Sequence, residues 1–375
     1  MKKGIGKQKW SGKISRDIID KVLMVFLNKT YKNVTIHFSG GEPLICLDEI
    51  DYICTQAKTL CSRELRFAMS TNGTLINEDS INIINKHHIN TVISIDGFGN
   101  LNSHRRDNFG NETIDKVIEG YYELKASGAS VGLSLVATHM NLKHIDEIMH
   151  KITEEMKPDS IGLNYLHYPG FDKSLAQNMA EMDLENYAKA LYNVYEQCRQ
   201  HGIFEEQSNR VIEPFVLQRP RLAHCSSQTS QLTVSPNGAI CPCKTFLTRG
   251  VDTLEMDDWE KCEEMKDIVE LKKWRRRTVD NINKCSSCAV RYLCGGGCGY
   301  EAFVETGSIQ ENSDRYCIVP RYMLIKLLEL LDSMGKFSDA DDTIKWLPKS
   351  ERTALLSVPD LDNLKLTTSI GHILE

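Results

Sequence analysis

No apolar run in the chain approaches the roughly 18 residues that a membrane span requires. The N-terminus, Met1 to Lys13, starts basic but has no apolar stretch behind it, which argues against a secretory signal. Positive charge is also short: 45 Lys and Arg face 51 Asp and Glu, a net charge of −6, so no general basic footprint for nucleic acid exists. No internal repeat and no low-complexity run interrupts the 375 residues, which suffice for two domains with separate cores. These absences predict a cytoplasmic protein with neither a membrane nor a nucleic-acid partner. Cysteine, by contrast, is plentiful at 13. In a reducing compartment that favours metal or redox chemistry over structural disulfides.

The cysteines are unevenly placed. Cys46, Cys54, Cys61 and Cys198 are scattered over the first part, whereas Cys225, Cys241, Cys243, Cys262, Cys285, Cys288, Cys294, Cys298 and Cys317 crowd the next hundred residues. The shift predicts a domain boundary near Arg210–Leu222, where Pro214 and Pro220 should interrupt regular structure. Before it, apolar or β-branched runs at Val34–Ser39, Leu65–Ser70, Thr91–Ile95, Ser130–Ala137 and Ser160–Tyr165 predict strands. Amphipathic stretches at Ser15–Leu27, Leu47–Leu60, Glu78–Lys86, Thr113–Ser127 and Leu142–Met156 predict helices between them. Such alternation argues for a parallel sheet with helices outside. Ligand sites then gather at the C-terminal strand ends, where the sequence places Ser39-Gly-Gly-Glu-Pro43, Ser70-Thr-Asn-Gly-Thr74 and Ser94-Ile-Asp-Gly97. Glu181–His201 reads as a connector helix and Arg321–Ser333 as a further amphipathic helix. The expected division is 1–168, 169–214, 215–320 and 321–375.

The spacing of the later cysteines carries the chemistry. Twelve residues separate Cys225 from Gly238, and Cys243 follows the glycine after four. After a gap come Cys285-x2-Cys288-x5-Cys294-x3-Cys298, and finally Cys317. Seven or eight thiolates exceed what one tetrahedral ion takes and suit two four-ligand clusters. Two structural zinc sites remain the competing possibility, since CxxC pairs also build zinc ribbons.

This arrangement, with Gly238 and the Gly295-Gly-Gly-Cys298 run, resembles the SPASM domain of radical S-adenosylmethionine (SAM) enzymes. The resemblance implies two auxiliary [4Fe–4S] clusters. Cys225, Cys243 and Cys298 would hold the first, and Cys285, Cys288, Cys294 and Cys317 the second. Some members add a cysteine shortly after the first ligand, where this chain reads Ser-Ser-Gln-Thr-Ser-Gln-Leu. Either Cys241 fills that place or one iron stays open to substrate, and the closeness of Cys241 to Cys243 favours the open iron. Cys262 and the four earlier cysteines are expected to be ordinary thiols.

The first part resembles the radical SAM core, a partial (β/α)6 barrel, from its second strand onward. Glycines at Gly40 and Gly41 let backbone approach a ligand, and Glu42 can receive an ammonium group. The resemblance implies that this ammonium belongs to the methionine end of SAM. It further implies that Asn72, Ser94 and Asp96 line the cosubstrate, Ser94 at its ribose or carboxylate. Arg106 would meet the methionine carboxylate, and Leu163 would pack the adenine.

The family makes its radical at a third [4Fe–4S] cluster, on a Cx3Cx2C loop upstream of the Gly-Gly-Glu-Pro motif. No cysteine precedes Gly40 here. Those ligands and the first strand are therefore expected to be missing, through N-terminal truncation in preference to degeneration, and the chain as given is not expected to form the radical. The expected class is a maturase modifying a peptide or protein side chain, fed by an external donor such as flavodoxin or ferredoxin. Lys244 stands where sulfatase maturases carry an aspartate, which argues against formylglycine formation. The alternative is an inactive iron–sulfur or zinc protein that binds a partner or passes electrons.

Overall fold

The computed structural model describes residues 12–27, 33–62, 64–102, 105–107, 109–167, 183–259, 268–336 and 348–358. Cys262 and parts of the expected domain ends lie outside them. The chain runs α1 (Arg16–Leu27), β1 (Asn33–Phe38), α2 (Leu47–Leu60), β2 (Glu64–Thr71), α3 (Glu78–His87), β3 (Ile89–Ser94), α4 (Ile114–Ala126) and β4 (Val131–Val136). It continues through α5 (Ile145–Lys151), β5 (Ser160–Asn164), α6 (Leu184–Gln200), β6 (Phe204–Glu205) and α7 (Glu206–Val216). The six strands form one sheet in sequential order, every pair parallel. This is the α/β parallel fold that the strand–helix alternation predicts. Among the described residues β1 has a strand neighbour on one side alone.

Local chemistry sets several boundaries. Asn77 caps α3 by accepting from the Ser80 amide while the Ser80 hydroxyl accepts from the Asn77 amide, and His88 closes the helix at φ 53°. Apolar side chains on one sheet face, Phe38, Phe67, Met69, Ile93, Leu133, Leu135, Ile161 and Leu163, are buried in the main core.

Three expectations change here. Glu181–His201 is no mere connector. Its described part, α6, buries Tyr187, Leu191, Val194, Tyr195 and Cys198 and crosses over to a sixth, two-residue strand. Pro214 does not interrupt regular structure either: α7 runs through it to Val216, and Gln218 at φ 52° marks the exit. A proline in the last turn forfeits one backbone bond, a loss the buried face of α7 can carry. The boundary expected at 214 therefore falls inside a helix. Third, the helix expected from Arg321 begins at Ile318. This helix, α8 (Ile318–Ser333), packs against α6, and its Val319, Met323, Leu327 and Leu331 join the main core.

The described part of the cysteine-rich stretch is built of short elements, helices of four to eight residues and one small ribbon. A two-stranded antiparallel ribbon, β7 (Thr233–Val234) with β8 (Ile240–Cys241), turns at Gly238. A Cβ on Gly238 would approach Met256 Sδ to 2.8 Å, and its carbonyl accepts from Trp259 Nε1 at 2.8 Å. The other glycine requirement is the triple run: Gly295, Gly296 and Gly297 have φ of 73°, 86° and 69°, and a Cβ on Gly295 would lie 2.5 Å from backbone atoms of Ala223 and His224. Only glycine fits there. The stretch docks on α1, where Phe26 meets Trp259 at 5.4 Å between ring centroids. A last helix, α9 (Lys349–Leu356), returns to the core through the bond from Tyr195 Oη to the Leu355 carbonyl.

Candidate functional site

Parallel strands buried on both faces usually read as continuous apolar runs. These strands alternate instead. Opposite the apolar face stand His37, Ser70, Ser94, Ser134 and Asn164, one polar side chain near the C-terminal end of each of β1 to β5, His37 exposed and the other four half-buried. His37 Nε2 lies 2.9 Å from Ser70 Oγ, Asn164 Nδ2 donates to Ser134 Oγ at 3.0 Å, and Gln207 Nε2 donates to Asn164 Oδ1 at 2.7 Å. A polar, partly accessible sheet face is a surface for a ligand rather than for core packing.

Glu42 stands at one end of this face. Its Oε1 accepts from the Thr71 hydroxyl at 2.6 Å and the Leu44 amide at 3.1 Å, and its Oε2 accepts from the Asn72 amide at 2.8 Å. A carboxylate offers about four acceptor positions, so about one remains, on Oε2. Gly40 and Gly41 have ordinary φ, and a Cβ on either would meet nothing within 4 Å. Neither backbone strain nor protein packing accounts for these two glycines. Asn72 turns its Oδ1 to the Thr74 amide and hydroxyl, fixing the loop.

Asp96 is engaged by protein on both oxygens. Arg105 grips both its oxygens, at 2.7 and 3.0 Å, and the Val136 amide donates to Oδ1 at 3.0 Å. Asn141 closes the same junction by donating to the Asp96 and Val136 carbonyls. The loop after β3 is thus fastened to the end of β4. The arginine that reaches this loop is Arg105. Arg106 donates to the Gly110 carbonyl, pairs with Glu112 at 3.4 Å and is exposed, so the structure does not bring it to Asp96 or Ser94. Leu163 is not on the polar face either. Its side chain is 1% exposed in the core, and Asn164 is the residue of β5 that turns inward. Period-two alternation in Val34-Thr-Ile-His-Phe and Val131-Gly-Leu-Ser-Leu is the sequence signal that could have found the polar row.

The cysteine-rich stretch meets this face through Lys244. Its Nζ hydrogen-bonds Ser39 Oγ, and burial lowers the lysine's pKa. His37 is likewise held below its ordinary value, by burial and then by the Lys244 charge.

The sulfurs fall into two neighbourhoods. Burial, then Cys317 and Cys288, raises the Cys285 pKa, and Cys294 is pushed up to about 11 by burial with Cys317 and Cys285 among its neighbours. Cys285, Cys288, Cys294 and Cys317 therefore stand together. Asn312 Nδ2 donates to Cys317 Sγ at 3.4 Å, and Arg321 hydrogen-bonds Cys288. Elsewhere burial lifts Cys243 to about 12 with Cys225 as its first neighbouring thiol, and Cys243 and Cys298 flank the same small core of Phe246, Trp274 and Tyr300. Cys241 is fully buried, with its Sγ 3.6 Å from the Val251 carbonyl. Among the described residues no three His, Cys, Asp or Glu side chains converge on a single metal-ion position.

Arg277 lies between the two neighbourhoods. It is fully buried, donates to the carbonyls of Ile309, Glu311, Gly296 and Gly297, and has the Cys298, Cys285 and Cys294 thiols among its ionisable neighbours. Its Nε finds no hydrogen-bond acceptor. A buried cation with an unmatched N–H, ringed by sulfurs, fits anionic groups held by those sulfurs.

Comparison with known proteins agrees with this geometry. Residues 6–152 match the Radical SAM superfamily. The chain is 21% identical over 329 residues to the radical SAM cyclopropyl synthase TigE of Paramaledivibacter caminithermalis, a match that covers 87% of this chain and 66% of that one. The chain thus spans just under two thirds of that relative. It is 22% identical over 306 residues to the cysteine-type anaerobic sulfatase-maturating enzyme of Clostridium perfringens, covering 76% of this chain and 79% of that enzyme. Its fold is similar to that of native anSMEcpe with bound AdoMet and Kp18Cys peptide, at a TM-score of 0.74, 18% identity and coverage of 89% and 94% of the two chains. The chain thus carries a stretch, residues 6–152, that matches the Radical SAM superfamily, and over most of its length it is similar to a radical SAM cyclopropyl synthase and to a sulfatase-maturating enzyme.

Proposed function

We propose that this chain belongs to a maturase of the radical SAM/SPASM type, which holds SAM on the polar sheet face and two [4Fe–4S] clusters in a SPASM domain, and which modifies a side chain of a peptide or protein. The observation that carries this is the join at Lys244. It sets the Cys243 neighbourhood at the rim of the loop that presents Glu42, so a substrate there would face both cosubstrate and sulfur site.

Cys285, Cys288, Cys294 and Cys317 form one ligand set, and Cys225, Cys243 and Cys298 belong to the other. When bound, the clusters supply one-electron transfer. A cube spreads its thiolates over four irons, whereas zinc draws them to about 2.3 Å from one ion. The sulfur neighbourhoods, grouped without converging on one point, support the cubes over zinc. Arg277 balances their negative charge.

The chain's own residues do the positioning. Thr71 and the Asn72 amide turn Glu42 so that one lone pair of Oε2 meets the methionine ammonium. Gly40 and Gly41 leave room for the ligand against the backbone. Ser94 lines the middle of the face, and the Asp96–Arg105 clamp keeps it in register. Arg106 stands beyond that clamp and would reach the methionine carboxylate only by leaving Glu112. Leu163 would offer the adenine its backbone rather than its side chain. Lys244 places a cation where sulfatase maturases have an aspartate, which speaks against removing a proton from a substrate thiol or hydroxyl there. The peptide or protein substrate follows from the named relatives, and a cytoplasmic one-electron donor such as flavodoxin or ferredoxin from the chemistry.

Residues 1–39 contain no cysteine to hold a radical-forming cluster. The test is therefore made on SAM binding. Anaerobic reconstitution with iron and sulfide, followed by iron counting and equilibrium dialysis of SAM, tests the proposal. About eight irons per chain and SAM binding weakened about tenfold or more by Glu42→Gln are expected. Stoichiometric zinc with no visible iron–sulfide absorbance, or SAM binding indifferent to Glu42→Gln, overturns it.

A further inference from the structure

We propose that His167 is the fourth protein ligand of the first auxiliary cluster, completing the set Cys225, Cys243 and Cys298, with Glu301 as the carboxylate that orients it. This rests on the cluster reading above and deepens it at the one place where the cysteine pattern falls short. The residues that follow Cys225, Ser226 to Leu232, contain no thiol. Cys241 has its sulfur in the apolar core, beside the Val251 carbonyl.

His167, three residues past β5, fills the gap from the other side. Its imidazole hydrogen-bonds the Cys298 side chain, and its Nδ1 lies 3.3 Å from Glu301 Oε1. Glu301 is 0% exposed and is held in turn by the Tyr165 hydroxyl at 3.0 Å and Arg315 Nη1 at 3.1 Å. Arg315 is itself fixed to the Leu166 carbonyl at 2.8 Å. The His167 ring lies 4.3 Å from that of Tyr165, which stacks on Tyr316.

A metal-ligating histidine characteristically donates its remote N–H to a carboxylate or carbonyl, which fixes tautomer and ring direction. Glu301 is such a carboxylate. It is buried and supported by two further donors, an expensive arrangement for a residue that merely packs. With Nδ1 turned to Glu301, the neutral imidazole has its Nε2 lone pair for iron, and the Cys298 side chain is a hydrogen-bonding neighbour of the ring. About half of the His167 side chain is accessible, although the residues on either side of it in this network are buried. The ring therefore borders a space beside Cys298 rather than being packed shut.

Replacing a thiolate with a neutral imidazole makes the cluster less negative and easier to reduce. The test is pulsed electron paramagnetic resonance on the reconstituted, chemically reduced chain, grown with histidine carrying either nitrogen-14 or nitrogen-15. A nitrogen coupling that changes with the isotope and vanishes in His167→Ala, while iron content and the second cluster's signal persist, is the expected result. Glu301→Gln should alter that coupling without lowering the iron count, and His167→Cys should lower the potential of the first cluster. Clusters present in full with no histidine coupling in the unsubstituted chain overturn the ligand assignment alone. No iron–sulfur signal in any form overturns the cluster reading and this inference with it.

Discussion

The sheet region and the cysteine-rich region are built on different physics. The sheet buries an unbroken apolar face, and its strands keep one register from β1 to β5, so regular hydrogen bonding and the hydrophobic effect account for it. Between Cys225 and Cys317 the strands are two residues long, and the local cores hold a handful of side chains each. Small cores of this kind rely on staples such as disulfides or metal centres. Buried Arg277, tied to four carbonyls, is one internal staple, and the proposed clusters are the others. The difference teaches where each half can be injured: the first through its packing, the second through its backbone turns and its sulfurs.

The sharpest break should come from stripping iron with a chelator. Hydrogen exchange should then show amides between residues 225 and 317 losing protection by roughly tenfold or more, at least about 1.4 kcal/mol, while β1–β5 keep theirs. Uniform loss across both regions would refute the distinction. Next is Gly295→Ala, which forces a Cβ to 2.5 Å from backbone at φ 73°. It should cost about 3 kcal/mol, read as a drop in denaturation midpoint. Gly40→Ala, with nothing within 4 Å, should stay within about 0.5 kcal/mol yet weaken SAM binding. Asp96→Asn, which weakens the charged bonds to Arg105, should cost about 2 kcal/mol in the denaturation midpoint, less than Gly295→Ala.

The gentlest is a pH effect confined to the sheet half. Lys58 donates to Nδ1 of buried His87, so the ring is neutral and gives its Nε2–H to Asp51 at 2.6 Å. Burial holds the His87 pKa below its ordinary 6.5. The unfolded chain therefore takes up that proton first on acidification. Stability is fully present above pH 6.5 and falls below it, at no more than about 1.4 kcal/mol per pH unit for one proton. His87→Gln should flatten the slope between pH 6.5 and 5.5 in pH-dependent urea titrations. An unchanged slope would show that another group sets it.

Much of the sheet was legible because its signals are local. Leu47–Leu60 is a helix over the expected span, and all five expected strands lie within two residues of their observed ends. Glu42 and Asp96 stand out in the sequence through the motifs around them. What stayed hidden depends on long-range partners. Arg105 and Arg106 are chemically identical neighbours, and only the fold shows which one turns to Asp96. Leu163 and Asn164 differ by a single step of the strand period, which decides core against polar face. Pro214 reads as a breaker until the buried face of α7 is known. His167 and Glu301 lie far apart in the chain, and no spacing rule links them.

Lys244 joins Ser39 across a sequence separation of 205 residues. The rim beside Glu42 is therefore finished by a part of the chain that leaves the ribosome long after β1. Contacts of such span form late, because a long loop must close before they are rewarded. A nascent chain can assemble the sheet early, yet it cannot present a completed rim beside Glu42 until the sulfur-bearing segment has been made and docked.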